Sequence, residues 1–303
     1  MIREGYELDV YNINANSKLN KRKLLIVVIL SFILLLLILV IINSVKIIKA
    51  NKVYKQYADQ LESLNYQKEQ ELAKKEAERQ AKIPKLTDEG KRNIDEIYNS
   101  NTKRAFLTFD DGPSTVTNTI LDTLKQQNVK ATFFVLGSRV EKKPDVVKRM
   151  YDEGHYIANH GYSHVYENIY TSPQSVLDEY NRCNEAVKNA IGVPEYNSHL
   201  FRFPGGLVGG KYADIKNQAN ELLKQNNIMH IDWNALNGDA ETNNLSIEFE
   251  LARLQETTQN KNSVVILMHD APAKKVTAEA LSQIIEYLRN QGYEFKNFYE
   301  IVK

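Results

Sequence analysis

The 303-residue chain has one cysteine, Cys183, so no intramolecular disulfide can form and the fold cannot depend on oxidation. It has no excess of either charge. The 39 Lys and Arg offset the 38 Asp and Glu to leave +1 at pH 7, and without a basic surplus nothing points to nucleic acid as a partner. Repeats and low-complexity tracts are absent from Lys103 onward. What is plentiful is tyrosine, 17 in all, more than core packing asks for and suited to a carbohydrate-facing surface. The length allows one large domain or two small ones.

One stretch has almost no polar residue. Leu24 to Ile42 is 19 residues with only Ser31 polar, about the ~20 needed to cross a bilayer as a helix. Lys18, Lys21, Arg22 and Lys23 precede it and favour a cytoplasmic N-terminus, with Lys46, Lys49, Lys52 and Lys55 opposing that bias in part. The residues after Ile42 carry no Ala-x-Ala cleavage pattern, so the segment reads as an uncleaved single-pass anchor in the cell membrane, with everything downstream extracytoplasmic. Residues 1–23 form a cytoplasmic tail without a periodic pattern and are expected to lack structure. Val45 to Ala81 has neither Pro nor Gly and is rich in Lys, Glu, Gln and Ala, a helix-favouring composition. Fully helical, it would span ~55 Å. Its apolar stripe, Val53, Tyr57, Leu61 and Leu64, would give weak self-association as a short coiled coil. Too few strong heptad positions are sustained for that, and a solvated spacer fits better. Pro84 ends the stalk, and Leu86 to Asn99 reads as a helix leading onward. The expected division is tail 1–23, anchor 24–42, stalk and linker 43–100, and one globular domain 101–303.

From Lys103 short apolar runs alternate with amphipathic stretches. Strands are expected at 104–109, 131–136, 155–159, 200–203, 228–233, 264–268 and 292–296, with helices near 117–127, 144–153, 173–191, 212–226, 245–257 and 277–290. Seven strands alternating with six helices predict a parallel α/β domain, a barrel or an open sheet. The unusual polar clusters all fall at the carboxyl ends of strands: Asp110-Asp111, the run from Asn159 to His164, Arg202 to Gly206, Asp232 to Asn234, and His269-Asp270. That is the face on which such folds build a site.

His160 and His164 are four apart, which lets two imidazoles converge on a cation in a helix or tight turn, and Asp110 or Asp111 can add a carboxylate. Two nitrogens and one carboxylate suit catalytic Zn2+, with Co2+ or another divalent transition metal also fitting; such an ion lowers the pKa of a bound water to ~7. Zinc peptidases place a glutamate directly after the first histidine. Here Gly161 stands there, so the base comes from elsewhere, and the other aspartate of the pair is the obvious source. His269 approaches from another strand as a general acid, and the backbone of Pro204-Gly205-Gly206 can face an oxyanion. The set suffices for hydrolysis of an amide or ester.

Taken together, TFDDGPS, HGYSH, RFPGG, DWN and LMHD resemble the polysaccharide deacetylase family (NodB homology, carbohydrate esterase family 4), over about two thirds of the chain from Lys103 to Lys303. The resemblance implies a distorted (β/α) barrel of about seven parallel strands and metal-dependent removal of acetyl groups from N-acetylglucosamine polymers or acetylated xylan. It makes Asp110 the base, Asp111 the metal ligand with His160 and His164, Arg202 the partner that orients Asp110, and His269 the acid. The family often has an aromatic residue where this chain has Gly205, whose N–H can still serve the oxyanion. It also often shows an Asp-Trp pair after the strand's tryptophan, where this chain has Asp232-Trp233 and then Asp239-Ala240, so either Asp232 or Asp239 supports His269 or Arg202. Trp233 and Leu267 are expected to line the acetyl pocket. His155, His199 and His230 are expected to be structural.

The expected substrate is an acetylated cell-envelope polysaccharide, foremost peptidoglycan, with poly-N-acetylglucosamine, chitin oligomers or xylan as rivals. A catalytically silent glycan-binding protein is the alternative from another class. It has no need for the acid and base residues that this chain retains.

Overall fold

The computed structural model describes residues 4–302, with side chains from Ser17 onward. It divides into two compact units, Met1–Glu76 and Ala77–Lys303.

The first unit is a single helix, α1 (Glu4–Ala81), whose last turn belongs to the second unit. It is the one helix among the described residues long and apolar enough to cross a membrane, and none of its apolar window is covered by protein. The tail expected to lack structure is helical from Glu4 on. The apolar run supplies the helix nucleus, and residues 6–23 hold no Pro or Gly to stop its propagation.

In the second unit, α2 (Asp88–Asp95) is capped by Thr87, whose hydroxyl accepts from Gly90 N at 2.9 Å. It packs so close to the C-terminus that a Cβ on Gly90 would lie 2.4 Å from the Val302 carbonyl oxygen. Ile94 and Ile97 are buried with Phe106, Phe134, Phe298 and Val302. The boundary expected at residue 101 therefore moves: residues assigned to the linker fill one of the domain's own cores.

Eight strands follow: β1 (Arg104–Asp110), β2 (Thr132–Val135), β3 (Tyr156–Asn159), β4 (Leu200–Phe201), β5 (Met229–His230), β6 (Ala235–Leu236), β7 (Ser263–His269) and β8 (Glu294–Lys296). Seven run parallel in the order β5-β4-β3-β2-β1-β7-β6, a half-barrel, and β8 lies along the first half of β1. Around them sit α3 (Thr117–Gln126), α4 (Gly137–Val140), α5 (Pro144–Asp152), α6 (Tyr166–Ile169), α7 (Pro173–Ile191), α8 (Ala213–Gln225), α9 (Ile247–Thr258) and α10 (Lys275–Asn290). Ser172 caps α7, with Pro173 in its first turn.

Strand periodicity sorts the two faces. Ala105, Leu107 and Phe109 of β1, with Val264, Ile266 and Met268 of β7, face the main core shared with the helices. Phe106 and Val265 belong to the second core, on the other face. By the same alternation Thr108 and Asp110 share the face of Phe106, and Leu267 and His269 that of Val265. Asp110 and His269 are register partners, so a carboxylate and an imidazole end neighbouring strands side by side.

The fifth strand is shorter than expected, two residues instead of 228–233, and β6 pairs with β7 where no strand was anticipated. The carbonyls of Ile231 and Asp232 accept from the Arg202 guanidinium at 3.1 and 3.0 Å. That side chain takes the place of a neighbouring strand's N–H groups.

Candidate active site and metal centre

Asp110 ends β1 almost wholly buried, and its Oδ1 accepts from Arg202 Nη1 at 2.8 Å. Arg202 follows β4 and has no solvent exposure. Nη1 also reaches Thr108 Oγ1 at 2.8 Å, Nε and Nη2 take the two carbonyls named above, and the guanidinium lies 3.9 Å from the Phe134 ring centre. A buried charge held by this many acceptors and one carboxylate has a single available pose. Asp110 Oδ2 is left facing His160, 3.9 Å from its Nε2.

Asp111 has φ 73°, a left-handed conformation that breaks the strand's alternation and swings its carboxylate towards the histidines. Arg139 fixes this turn by donating to the Asp111 carbonyl at 2.6 Å. Next to it, a Cβ on Gly112 would fall 2.0 Å from Asp270 Oδ2, so only glycine fits.

His160 and His164 sit on a tight turn after β3, not on a helix, with Gly161 at φ 86° and His164 at φ 58°. Glu179 of α7 holds the turn, accepting from Tyr162 N at 2.6 Å, Ser163 N at 2.7 Å and Ser163 Oγ at 2.8 Å. His160 Nδ1 donates to the Arg202 carbonyl at 2.8 Å, which leaves Nε2 as the lone-pair nitrogen. That Nε2 lies 3.7 Å from Asp111 Oδ1, and His164 Nε2 lies 3.3 Å from it.

These three groups fit a divalent cation. Their ligand atoms all lie within 4.8 Å of one another, and bonds of ~2.1 Å at a tetrahedral angle put ligand atoms ~3.4 Å apart. Asp111 Oδ1 is buried without a hydrogen-bond partner, which is costly unless a cation takes that place. Protonation states agree. Burial pushes His160 down, keeping it neutral. Burial alone would raise Asp111, but His160 and His164, with His269 and Arg139, hold it below the ordinary carboxylate range.

His269 ends β7. Its Nδ1 meets Asp239 Oδ1 at 2.7 Å, and its backbone N–H donates to Asp239 Oδ2 at 2.8 Å. Burial works against a charged imidazole here, yet the Asp239 carboxylate outweighs it and pushes His269 up to about 9. The two aspartates thus separate: Asp239 partners His269, while Asp232 meets Arg202 through its backbone carbonyl and uses its carboxylate to accept from Leu207 N at 3.1 Å.

Trp233 is half-buried, 5.7 Å from the Arg202 guanidinium and against Gly206. Leu267 is nearly buried on the face of β7 that carries His269. Gly205 has φ 77°, and a Cβ there would meet the Tyr166 hydroxyl at 2.7 Å. Tyr166, whose ring stands 5.7 Å from that of His164, therefore occupies the space beside a residue where an aromatic side chain was expected and is missing. Sequence reasoning overlooked Tyr166, Arg139 and Glu179, and gave Asp270 no role. Asp270 alone was signalled, by following His269. It is fully buried, bound by Thr117 Oγ1 at 2.6 Å, and pushed up to about 7 by burial and then by Asp111 and Asp110. Of the other histidines, His155 is fully buried, accepts from Ala131 N at 3.1 Å and is lowered to about 3 by burial, as a structural residue would be.

Comparison with known proteins places the chain in a family. The family model for polysaccharide deacetylase matches residues 98–223. A peptidoglycan-N-acetylglucosamine deacetylase of Bacillus cereus is 34% identical over 201 residues, 65% of this chain and 70% of that protein. The Listeria monocytogenes deacetylase PgdA is 36% identical over 66% of this chain and 39% of its own length. Among solved structures, a Streptococcus mutans CE4 esterase superposes with a TM-score of 0.63 at 32% identity, covering 70% of this chain and 92% of that one. The catalytic domain of a peptidoglycan N-acetylglucosamine deacetylase from Eubacterium rectale gives 0.61 at 33% identity, covering 66% and 90%. The chain belongs to the polysaccharide deacetylase family, a family of metal-dependent enzymes.

Proposed function

We propose that this enzyme removes N-acetyl groups from N-acetylglucosamine residues of peptidoglycan, working outside the cell from a single-pass membrane anchor. What supports the chemistry is the convergence, at the carboxyl ends of the strands, of Asp111, His160 and His164, a carboxylate clamped by a buried arginine, and an imidazole backed by a carboxylate. The choice of peptidoglycan draws on the names of the Bacillus and Eubacterium relatives and on the apolar helix at residues 24–42, read as an anchor between a cytoplasmic tail and an extracytoplasmic stalk.

Asp111, His160 and His164 would hold a divalent ion, Zn2+ by preference for two nitrogens and one carboxylate, which would supply Lewis acidity when bound. Asp110 is the base: Arg202 donates to Oδ1, which leaves Oδ2 to take a proton from the attacking water. As the new C–O bond forms, the backbone N–H of Gly205 faces the developing oxyanion. His269 enters protonated and gives its Nε2 proton to the leaving amine as the C–N bond breaks, releasing acetate and a free glucosamine. Trp233, Leu267 and Tyr166 wall the acetyl-bearing sugar.

The test is acetate release by the detergent-solubilised full chain from purified peptidoglycan, poly-N-acetylglucosamine, chitin oligomers and acetylated xylan. Release from peptidoglycan that chelation abolishes and Zn2+ restores is the expected result. Turnover of xylan alone would refute the substrate, and no turnover of any polymer with Zn2+ or Co2+ supplied would favour a silent glycan-binding protein.

A further inference from the structure

The carboxylate behind His269 has a second contact that the reaction above does not use. Thr277 Oγ1, on α10, lies 3.1 Å from Asp239 Oδ2 and 3.1 Å from Oε1 of Glu250, a residue of α9. The other Glu250 oxygen accepts from Asn237 Nδ2 at 2.7 Å. Asn237 Oδ1 accepts from Asp239 N at 3.2 Å, which fixes the orientation of that amide. Glu250, Asn237 and Thr277 have no solvent exposure, and Asp239 has 2%. A carboxylate so enclosed normally pairs with a cation. Among the described residues none forms an ion pair with Glu250; Lys274 places its Nζ on the Asp239 carbonyl, at 2.5 Å.

A threonine hydroxyl has one hydrogen, so it makes one full hydrogen bond and can only divide that hydrogen weakly between two carboxylate oxygens. Asp239 receives both the ring and the backbone N–H of His269, which marks it as the anion. The Thr277 hydroxyl therefore donates to Asp239, and the Glu250 contact is a full hydrogen bond when Glu250 is the donor. We propose that Glu250 is a neutral carboxylic acid and a positioning residue, its proton anchoring a chain through Thr277 that fixes Asp239 against His269.

The groups facing Glu250 agree. Burial and then the Asp239 charge push it up to about 7, with Thr277, Asn237 and Lys274 working the other way. Losing that proton puts a second anion beside Asp239 and leaves one hydroxyl shared between two acceptors. The positioning role rests on His269 acting as general acid; the protonation state does not.

Infrared spectroscopy of the full chain reads the protonation state without turnover. A protonated-carboxyl C=O band is expected in slightly acid solution, lost on titration near 7, absent from Glu250→Gln, and shifted in wild-type protein carrying isotopically labelled glutamate, so the reading does not depend on a variant folding. No band that moves with labelled glutamate overturns the proposal. In the kinetic arm, Glu250→Gln keeps the donor to Thr277 and the acceptor for Asn237, so its plateau kcat/KM stays within about threefold of wild type. Thr277→Val cuts the chain without changing charge and lowers kcat about tenfold at constant KM. A Glu250→Gln enzyme as impaired as Glu250→Ala would also refute the positioning role. If no form turns over but the band persists, it is the deacetylase reading that fails.

Discussion

Replacing Asp239 by Asn tests the acid half of the site. The Asp239 carboxylate raises His269 from its ordinary 6.5 to about 9 against the pull of burial. At ~1.4 kcal/mol per pH unit this is on the order of 3 kcal/mol in favour of the imidazolium. Because the folded value is raised, the acid form persists through neutral pH and is lost only as pH climbs through the alkaline limb. The amide removes the charge but leaves the burial, so His269 falls to its ordinary value or below. At a pH one unit above that value about a tenth of the imidazole is protonated, against nearly all in the wild type, and kcat/KM drops by about tenfold on protonation alone. A cation bound to Asp111, His160 and His164 lowers both enzymes alike, so the displacement between the two profiles is the observable. The assay is kcat/KM for acetate release across pH in metal-saturated enzyme. The Asn variant should show its alkaline limb displaced to lower pH and should recover most of its activity on acidification. An alkaline limb that does not move would show that His269 is not the proton donor.

Asp110→Asn should keep its full metal content and lose about 10²–10⁴ in kcat, because it removes the base and none of the ligands; elemental analysis beside turnover checks both halves. His160→Ala should lose the metal, and with it the rise in melting temperature that added Zn2+ gives the wild type, a difference readable by calorimetry. Gly112→Ala forces a methyl to 2.0 Å from the buried Asp270 carboxylate and should destabilise the fold by about 1–3 kcal/mol or more, measured by denaturant unfolding. A Gly205→Tyr variant should be inactive alone, because its side chain meets Tyr166 and its backbone is left-handed at φ 77°; paired with Tyr166→Ala it should recover in part, and failure of the pair to exceed the single variant would show that the two positions do not share one space.

Which parts of this site were legible in the sequence follows from how far apart the cooperating residues lie. Asp110-Asp111 and the two histidines four apart carry their chemistry in adjacent letters, and strand alternation decides which way Asp110 faces. The alternation fails one residue later. Asp111 turns left-handed and reaches the histidines, and nothing in two identical neighbouring side chains announces which of them leaves the strand. The aspartate that partners His269 was undecidable for a related reason. Asp232 and Asp239 stand on either side of a strand of two residues, β6, too short to leave a periodic trace, and it is this strand's register with β7 that delivers Asp239 to His269. The stalk boundary was misplaced because Ile94 and Ile97 have their partners some two hundred residues away, at Phe298 and Val302. Glu250, Glu179 and Tyr166 lay beyond reach altogether. Each is an ordinary residue of an amphipathic helix or a helix start until the tertiary fold brings it to its partner, Glu250 to Thr277 across two helices, Glu179 to the histidine turn, and Tyr166 to the space over Gly205. The residues with an element of chemistry in their own identity were readable, while those that act by holding another residue became visible only with the distance between them.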